Sequence, residues 1–288
     1  MRLFRNITYC IAVLSILTGC SRQSLPSEDG AQMHFIPSLP GTKATDSAFE
    51  AGDSFGIYAV EYADGIPAPL QISGNWANNA QSAYDGSKWT VTPPIWWKDE
   101  AVFDILAYYP FNPQLSSVDD YIFEVKSDQR QVGFTLSDFM WAKAKGVQQS
   151  QGDIALQFKH KLSRLDINLV KGDDYEGDLP SSAEVRIMNI ITTAAIDLER
   201  GEIEKNPYGT TGTIIAHQWK TGQYSAIIVP QKLLNSIPLI EVIVSGVSYL
   251  YSSKFIFESG KRHTLNLTLS SNPDKVIINI GGDISNWN

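Results

Sequence analysis

The stretch Ile154–Val170, IALQFKHKLSRLDINLV, is the part of the chain that decides its fold class. Its first half places an apolar residue or a histidine at every second position, which is the period of a β-strand with one buried face. These positions are Ile154, Leu156, Phe158, His160 and Leu162. From Leu165 onward the apolar residues continue one position out of step. Because such a slip would turn the apolar face outward, we expect a bulge or a bend near Ser163–Arg164.

The other periodic segments also have strand character, being rich in β-branched and aromatic residues and separated by Asn, Gly, Pro and Asp clusters. The segment SAYDGSKWTV (82–91) predicts a hairpin with Asp85–Gly86 at its turn, and GFTL (133–136) predicts a further strand. The best candidate for a short helix or a turn is SDFMWAKAKG (137–146), with Ser137 as its cap. Because no helical period is sustained after the leader, the predicted fold class is all-β, with two β-sandwiches in series.

The first residues of the chain predict export. Arg2 and Arg5 precede the mostly apolar run Ile7–Leu17, which is too short to cross a bilayer but has the length of a secretory signal. The following residues, LTGC (17–20), resemble a bacterial lipoprotein box. This predicts cleavage between Gly19 and Cys20 and a lipid on the Cys20 sulfur, which would be the only group carried by the protein. The alternative is an ordinary signal peptide with a cysteine there by chance.

These features together predict four regions along the chain. They are a lipoprotein signal peptide at 1–19, a lipidated flexible tether at 20–31, an N-terminal sandwich at 32–152 and a C-terminal sandwich at 153–288. The other cysteine, Cys10, lies in the leader, so we expect no disulfide in the mature chain. The net charge is −8, and it becomes −10 without the leader, since 21 basic residues then face 31 acidic ones. This acidity argues against nucleic acid as a partner.

Sequence signatures of catalysis are missing. The chain has no HExxH, CxxC, GxSxG or phosphate-loop motif, so we predict no enzyme, no catalytic residue, no metal and no cofactor. His160 shares a strand face with Leu156 and Phe158, which favours a hydrogen-bonded core histidine over a ligand. The acidic loop 173–178 lacks the glycine and distal glutamate of a calcium loop, which favours a solvated turn. A hydrolase stays an alternative, because two carboxylates from distant positions in the sequence can meet in the folded protein.

Tryptophan is concentrated in the first half of the chain, at Trp76, Trp89, Trp96, Trp97 and Trp141. Exposed indoles could stack on sugars, but sandwiches of this size usually bury tryptophan in the core. Trp96 and Trp97 are adjacent and cannot both face inward on a strand, so we expect one of them to be exposed.

Seven segments, taken in order, resemble the fimbrillin-like family of Bacteroides-type bacteria. They are GDSFGIYA (52–59), YDGSKWT (84–90), IWWKDEAVFDILAYYPF (95–111), SDFMWAKA (137–144), LQFKHKLSRLDINL (156–169), AIIVPQ (226–231) and SGKRHTLNLTL (259–269). The resemblance runs from the lipoprotein box to the closing ISNWN (284–288). It implies two transthyretin-like β-sandwich domains and a lipoprotein precursor of a type V pilus, which serves as a stalk, anchor or tip subunit.

The resemblance also implies assembly by strand exchange. In the family, an Arg-specific surface protease removes the lipid and the first strand, and the C-terminal strand of another subunit fills the groove that this opens. In this chain the removable strand would be Met33–Leu39, and the processing loop would be PGTKATD (40–46). Lys43 stands where many relatives have arginine, so either a lysine-accepting protease cuts there or the subunit stays uncut, as an anchor would. Lys43 could also be a loop lysine with no role in processing.

The candidate donor strand lies in the tail DKVIINIGGDISNWN (274–288), where Val276, Ile278 and Ile280 alternate as pocket-filling residues. Alternatively these residues complete the second sandwich of their own chain. The function implied is a structural subunit of a surface-exposed fimbrium at the cell outer membrane, contributing to adhesion. Its partners would be other fimbrial subunits, the membrane through its lipid, and a host or bacterial surface receptor. The alternative function is a monomeric surface glycan-binding lipoprotein, which predicts an exposed tryptophan platform.

Overall fold

β-Strands make up most of the chain in the computed structural model, which describes residues 30–39, 48–272, 277–279 and 284–287, the segment 277–279 by its backbone alone. In these ranges the only α-helix, α1, is Val132–Leu136, and a 3₁₀ turn spans Gln149–Gln151. The strands are β1 Phe35–Ser38, β2 Ser54–Ala63, β3 Ile66–Pro67, β4 Ala77–Tyr84, β5 Trp89–Thr92, β6 Phe103–Tyr109, β7 Tyr121–Glu124, β8 Met140–Val147, β9 Ile154–Gln157, β10 Lys159–His160, β11 Ser163–Lys171, β12 Glu184–Ile191, β13 Thr193–Asp197, β14 Glu202–Lys205, β15 Thr211–Ile215, β16 His217–Lys220, β17 Gln223–Ile228, β18 Gln231–Val244, β19 Val247–Phe257, β20 Lys261–Leu269, β21 Ile277–Asn279 and β22 Ile284–Asn286. The all-β prediction is confirmed, and no described helix is long and apolar enough to cross a membrane.

The strands form five sheets. The largest has the order β10-β8-β6-β2-β4-β5, with β3 beside β2. A second has the order β16-β17-β11-β20, and both β21 and β22 pair with the free side of β20. The others are β15-β12-β18-β19, β14-β13-β7 and the parallel pair β1-β9.

The central strands β2 and β6 are buried on both faces, because apolar residues follow one another along them without the polar alternation of a surface strand. Tyr58 and Tyr108 lie on the face that joins a large core shared with the strands of the second half. On the opposite face, Phe55 and Phe103 belong to a separate apolar cluster that includes residues of β1 and β9. The largest sheet therefore lies between two cores.

The predicted hairpin is confirmed. β4 and β5 are antiparallel, with Tyr84 opposite Trp89, and the turn between them begins at Asp85. The Asp85 Oδ1 atom accepts hydrogen bonds from the backbone N–H groups of Ser87 and Lys88, at 2.8 and 2.9 Å. Gly86 has φ 96°, a value that only glycine adopts without strain, so this turn is specified locally.

Of the bulge or bend that we expected near Ser163–Arg164, the structure has a bend at Leu162, one residue earlier, and no bulge at the predicted position. β11 begins at Ser163 and pairs without interruption through Arg164. The strand is instead broken at Lys161–Leu162, because β10 pairs with β8 whereas β11 pairs with β17 and β20. The chain changes sheets at these two residues, and the apolar face changes phase with it.

The segment 137–146, predicted as a short helix or a turn, has a turn at Ser137 alone and forms no helix, and the strand prediction at 133–136 was wrong. Met140–Val147 forms β8, which pairs with β6 and buries Met140 and Ala142. The helix α1 lies just before it, and Ser137 closes its C-terminal end, where its hydroxyl donates to the Gly133 carbonyl at 2.7 Å. Pairing with β6 therefore overrides the helical propensity of the segment.

Elements on either side of residue 152 share sheets and cores. β9 and β10 lie beyond that position, but Ile154 and Phe158 belong to the cluster around β1, and β10 pairs with β8. Strand β7 of the first half pairs with β13 of the second. The four-region division and its boundary at residue 152 stay predictions.

Candidate assembly site at the two terminal segments

The N-terminal segment 31–38, which ends in β1, is held by backbone hydrogen bonds on two sides. The Met33 N–H donates to the Ile95 carbonyl at 2.8 Å, and the Trp97 N–H donates to the Ala31 carbonyl at 2.8 Å. On the other side β1 runs parallel to β9, with Phe35 opposite Ile154. There the Ile154 N–H donates to His34 and the Phe158 N–H to Ser38, at 2.8 and 2.9 Å.

Pro37 is compatible with this position because it lacks only an outward-facing N–H. The carbonyls of His34 and Ser38, at even positions, face β9, while the N–H of Met33, at an odd position, faces Ile95. Backbone groups of a strand alternate in direction, so the nitrogen of Pro37 points away from β9. The ladder to β9 therefore loses no hydrogen bond, as is required of a proline in a strand.

The side chains of β1 and the residues before it alternate between core and solvent. Met33 is fully buried and Phe35 is 8% exposed, whereas Ile36 is 53% exposed. Met33 and Phe35 belong to one apolar cluster with Phe55, Phe103 and Leu156. Burying a side chain of this kind stabilises a fold by about 1.5–3 kcal/mol.

β1 lies in a groove that is formed by other strands. The floor is the face of β2 and β6, and one wall is β9. Removing β1 would leave an apolar slot with unpaired carbonyl and N–H groups along β9. A slot of this type accepts an extended chain that offers backbone hydrogen bonds and alternate apolar side chains.

The C-terminal tail lies along the edge of β20. β21 pairs antiparallel with the end of that strand, Ile278 opposite Leu267, and β22 pairs with its start, Ser285 opposite Arg262. All three residues of β22 are exposed, and Ile284 is 61% exposed. The tail therefore extends a sheet edge, and of its described residues 284–287 only Trp287 adds a side chain to a core.

Trp287 is the exception among the described residues 284–287, since it is only 7% exposed. The backbone N–H of Trp287 donates to the Gly260 carbonyl at 2.9 Å. Its ring stacks on the His160 imidazole with 4.1 Å between centroids and 4° between planes. Asp138 holds His160 from the other direction, with 2.9 Å between Nδ1 and Oδ2.

Several predicted site residues lie outside the described part of the chain. These are Gly19, Cys20, Lys43, Val276 and Ile280. Ile278 is described by its backbone, which pairs with Leu267 in β21. The lipidation, signal cleavage, processing and donor-strand assignments stay predictions.

The prediction for His160 is confirmed, since it is 7% exposed and hydrogen-bonded in the core. In the acidic loop, Asp174 accepts a hydrogen bond from the Ser270 hydroxyl at 2.6 Å. Among the described residues no group of His, Cys, Asp and Glu side chains could hold a metal ion.

The expectation that one of the adjacent Trp96 and Trp97 is exposed was wrong, since Trp97 is buried and Trp96 is half-buried. Trp76, Trp89 and Trp141 pack as partly buried side chains against the two cores. The most exposed tryptophan is Trp219, at 43%, and its ring packs edge-on against Phe134 with 5.4 Å between centroids.

A buried charge network on β11 was missed by sequence reasoning. Asp166 is 7% exposed and accepts hydrogen bonds from Arg164 Nε at 2.8 Å and from the Ser225 hydroxyl at 2.6 Å. Arg262 on β20 binds its other oxygen. The available signal was Arg164 and Asp166 alternating with leucine and isoleucine in a strand, since two such residues on one face can pair.

The match to known proteins covers most of the chain. A family model described as fimbrillin-like matches residues 42–287. The chain belongs to the fimbrillin-like family. This membership confirms the resemblance seen in the sequence and assigns the chain to structural proteins of fimbriae and cell adhesion rather than to enzymes.

Relatives of this fimbrillin-like chain come from Bacteroides. A candidate fimbrium subunit, Fim1C, of Bacteroides uniformis is 29% identical over 220 residues, which are 70% of this chain and 67% of that protein. The crystal structure of a candidate cell adhesion protein from Bacteroides uniformis superposes with a TM-score of 0.69 at 22% identity, covering 89% of this chain and 99% of that one. A similar protein from Bacteroides ovatus has a TM-score of 0.71 at 17% identity, covering 90% and 98%. These two matches concern the fold.

Proposed function

We propose that this fimbrillin-like chain is a subunit of a cell-surface fimbrium, exported as a lipoprotein and assembled by exchange of β-strands between subunits. Its partners are other fimbrial subunits, which bind it head to tail. A contact of this type does not close on itself, so it generates a filament.

The observation that carries the proposal is the position of β1. Met33 and Phe35 complete a core that is otherwise built by later strands, and among the described strands β1 pairs with β9 alone. A strand of this kind can be replaced by one from another chain without changing the surrounding sheet. The segment between β1 and β2 contains Lys43, so a cut after Lys43 would separate Met33–Leu39 from the rest of the protein.

The tail is the candidate replacement strand. Val276, Ile278 and Ile280 would supply the alternate apolar side chains that Met33 and Phe35 supply in the uncut chain. The tail is suited to this exchange because β22 has exposed side chains and pairs only with the edge of β20. Its departure would leave the strands β11 and β17 paired as before.

Export and anchoring are assigned to the first residues. Signal cleavage between Gly19 and Cys20, followed by lipidation of Cys20, would deliver the chain to the outer membrane on a lipid. A subunit cut after Lys43 would lose this lipid and enter the stalk. An uncut subunit would keep it and act as an anchor, while adhesion would add a host or bacterial surface receptor as partner.

A monomeric glycan-binding lipoprotein is the competing function, and it requires a platform of exposed tryptophans. Of the seven tryptophans only Trp219 reaches 43% exposure, and Trp97 and Trp287 are buried. No observation in the described residues favours this function over assembly.

The proposal is tested on protein isolated from its native cell surface. We expect a ladder of bands on a denaturing gel before boiling, which collapses to one band after boiling, and stalk chains that begin at Ala44. A single band that still carries lipidated Cys20 in both samples would exclude a stalk subunit. The matched control is a Lys43→Gln chain, which should keep its lipid and lose the ladder.

A further inference from the structure

Trp287 is the only residue of the described tail segment 284–287 whose side chain is buried. The three preceding residues are exposed, so they contribute a short ladder of backbone hydrogen bonds and little apolar area. Apolar area removed from water, rather than backbone pairing, supplies most of the net free energy of docking. The hold on this segment is therefore concentrated in one indole and in the residues that it contacts.

The site that receives the indole is formed by two separate parts of the chain. His160 provides a flat face, and Asp138 fixes the orientation of its ring through a contact of 3.0 Å at Nδ1. Gly260 provides the carbonyl that accepts a hydrogen bond from the backbone N–H of Trp287. A side chain is poorly tolerated at Gly260, since its φ is 66° and an added Cβ would lie 3.2 Å from the His160 carbonyl oxygen.

This site lies where the chain passes from one sheet to another. The Gly260 N–H donates to the Leu162 carbonyl at 2.8 Å, and the Ser259 hydroxyl donates to the Lys161 carbonyl at 2.7 Å. The turn between β19 and β20 is thus fixed against the sheet-changing residues Lys161–Leu162. Trp287 closes over this junction, and Lys261 adds a contact of 2.7 Å from its ammonium to the Asn286 side chain.

We propose that Trp287 is a latch that holds the C-terminal tail in its own chain and that must leave His160 before the tail can enter another subunit. This inference rests on the proposed strand exchange, because it assigns the controlling contact of the same tail. The closed latch keeps the edge of β20 covered and the donor strand occupied. Exchange then begins with extraction of one indole rather than with unfolding of the C-terminal strands.

The first test is amide hydrogen exchange of the purified chain, compared with Trp287→Ala. We expect exchange in the peptide that covers residues 284–288 to become about 10- to 100-fold faster, since removing a buried large side chain shifts a local opening equilibrium by this order. Peptides from β2 and β6 should be unchanged, which separates local opening from loss of global stability. Unchanged exchange in the tail would overturn the latch.

Matched variants identify the contact. Ile284→Ala removes an apolar side chain that is 61% exposed on the same strand, so it should leave the tail protected. His160→Phe keeps a flat ring under the indole and should keep most of the protection, whereas His160→Ala should accelerate exchange as Trp287→Ala does. Equal acceleration by Ile284→Ala would show that the tail is held by its general apolar contacts, and the latch would be wrong.

The second test measures assembly and separates the two proposals. With β1 cleaved off, Trp287→Ala should form polymer about tenfold faster or more than the parent chain. If the tail opens faster but neither chain forms polymer, strand exchange fails while the latch stands as a property of the monomer. If both chains polymerise at the same rate while the tail opens faster, the latch does not control assembly and the inference is overturned.

Discussion

The two ends of the chain are both short strands added to sheets that other residues build, but their side chains are treated differently. The N-terminal segment 33–38, which ends in β1, buries Met33 completely and Phe35 almost completely within the cluster of Phe55 and Phe103. β22 pairs with β20 through three residues whose side chains all remain exposed. The N-terminal segment 33–38 buries two large apolar side chains, whereas of the described tail residues 284–287 only Trp287 is buried.

This difference indicates which end can detach from its own chain and which end leaves a groove that another strand must fill. Because core burial contributes more than an edge ladder, loss of β1 leaves an apolar slot that another strand has to fill. Loss of the tail uncovers the edge of β20, which favours pairing with another chain, and of the described residues 284–287 it removes only Trp287 from a core. A removable tail and a slot with an obligatory occupant are the two parts that strand exchange needs.

The largest effect should come from truncating a core side chain of β1. Phe35→Ala should lower the free energy of unfolding by about 3–5 kcal/mol, because it removes a ring from a packed cluster. Ile36→Ala, the matched control at the next position, should change it by less than about 0.5 kcal/mol since that side chain is exposed. Urea denaturation followed by tryptophan fluorescence measures both, and equal losses would contradict the view that burial of Phe35 holds β1 in place.

Omitting residues 284–288 should have a smaller effect. The deletion removes one buried indole and a three-residue ladder, so we expect the free energy of unfolding to fall by about 1.5–3 kcal/mol. The transition should remain cooperative, as shown by coincident fluorescence and circular dichroism curves. A loss larger than that of Phe35→Ala would contradict the view of the tail as an edge strand.

A structural feature can be predicted from the sequence when the residues that determine it are neighbours in the chain. The Asp85 turn and the buried strands β2 and β6 follow from short patterns, because their determinants are neighbours in the chain. β8 was misread as a helix because its pairing with β6 cannot be seen locally, and five residues are too few for α1 to display a helical period. The stacking of Trp287 on His160 joins distant positions, so no local pattern could have predicted it.

Tyr58 offers a test of the large core that packs against one face of the largest sheet. Its hydroxyl is buried and has no hydrogen-bond partner among the described residues, and desolvation raises the pKa of Tyr58 to about 12. Tyr58→Phe should therefore raise the free energy of unfolding by about 1 kcal/mol. Thermal unfolding of both chains checks this, with exposed Tyr208→Phe as the control. A destabilised Tyr58→Phe chain would mean that the hydroxyl makes a bond that the core description lacks.

The smallest effect concerns His263 on β20, opposite Ile284 of the tail. Burial lowers the pKa of His263, so between its folded-state pKa and the ordinary value near 6.5 the unfolded chain binds more protons. Stability should therefore fall as the pH falls below about 6.5. Urea midpoints at several pH values should show a weaker fall for His263→Gln. If the urea midpoint depends on pH equally in the parent chain and in His263→Gln, then the pKa of His263 does not differ between the folded and unfolded states.

Direct contact between the tail of one subunit and the groove of another is the central claim. It can be measured in fimbriae isolated from native cells that express the chain with Ala155→Cys, in the β9 wall beside β1, together with one cysteine at a position from 276 to 280. We predict a disulfide ladder that survives boiling and disappears on reduction, for at least one tail position, and no ladder when either cysteine is present alone. Fimbriae that assemble normally without any such cross-link would contradict the account.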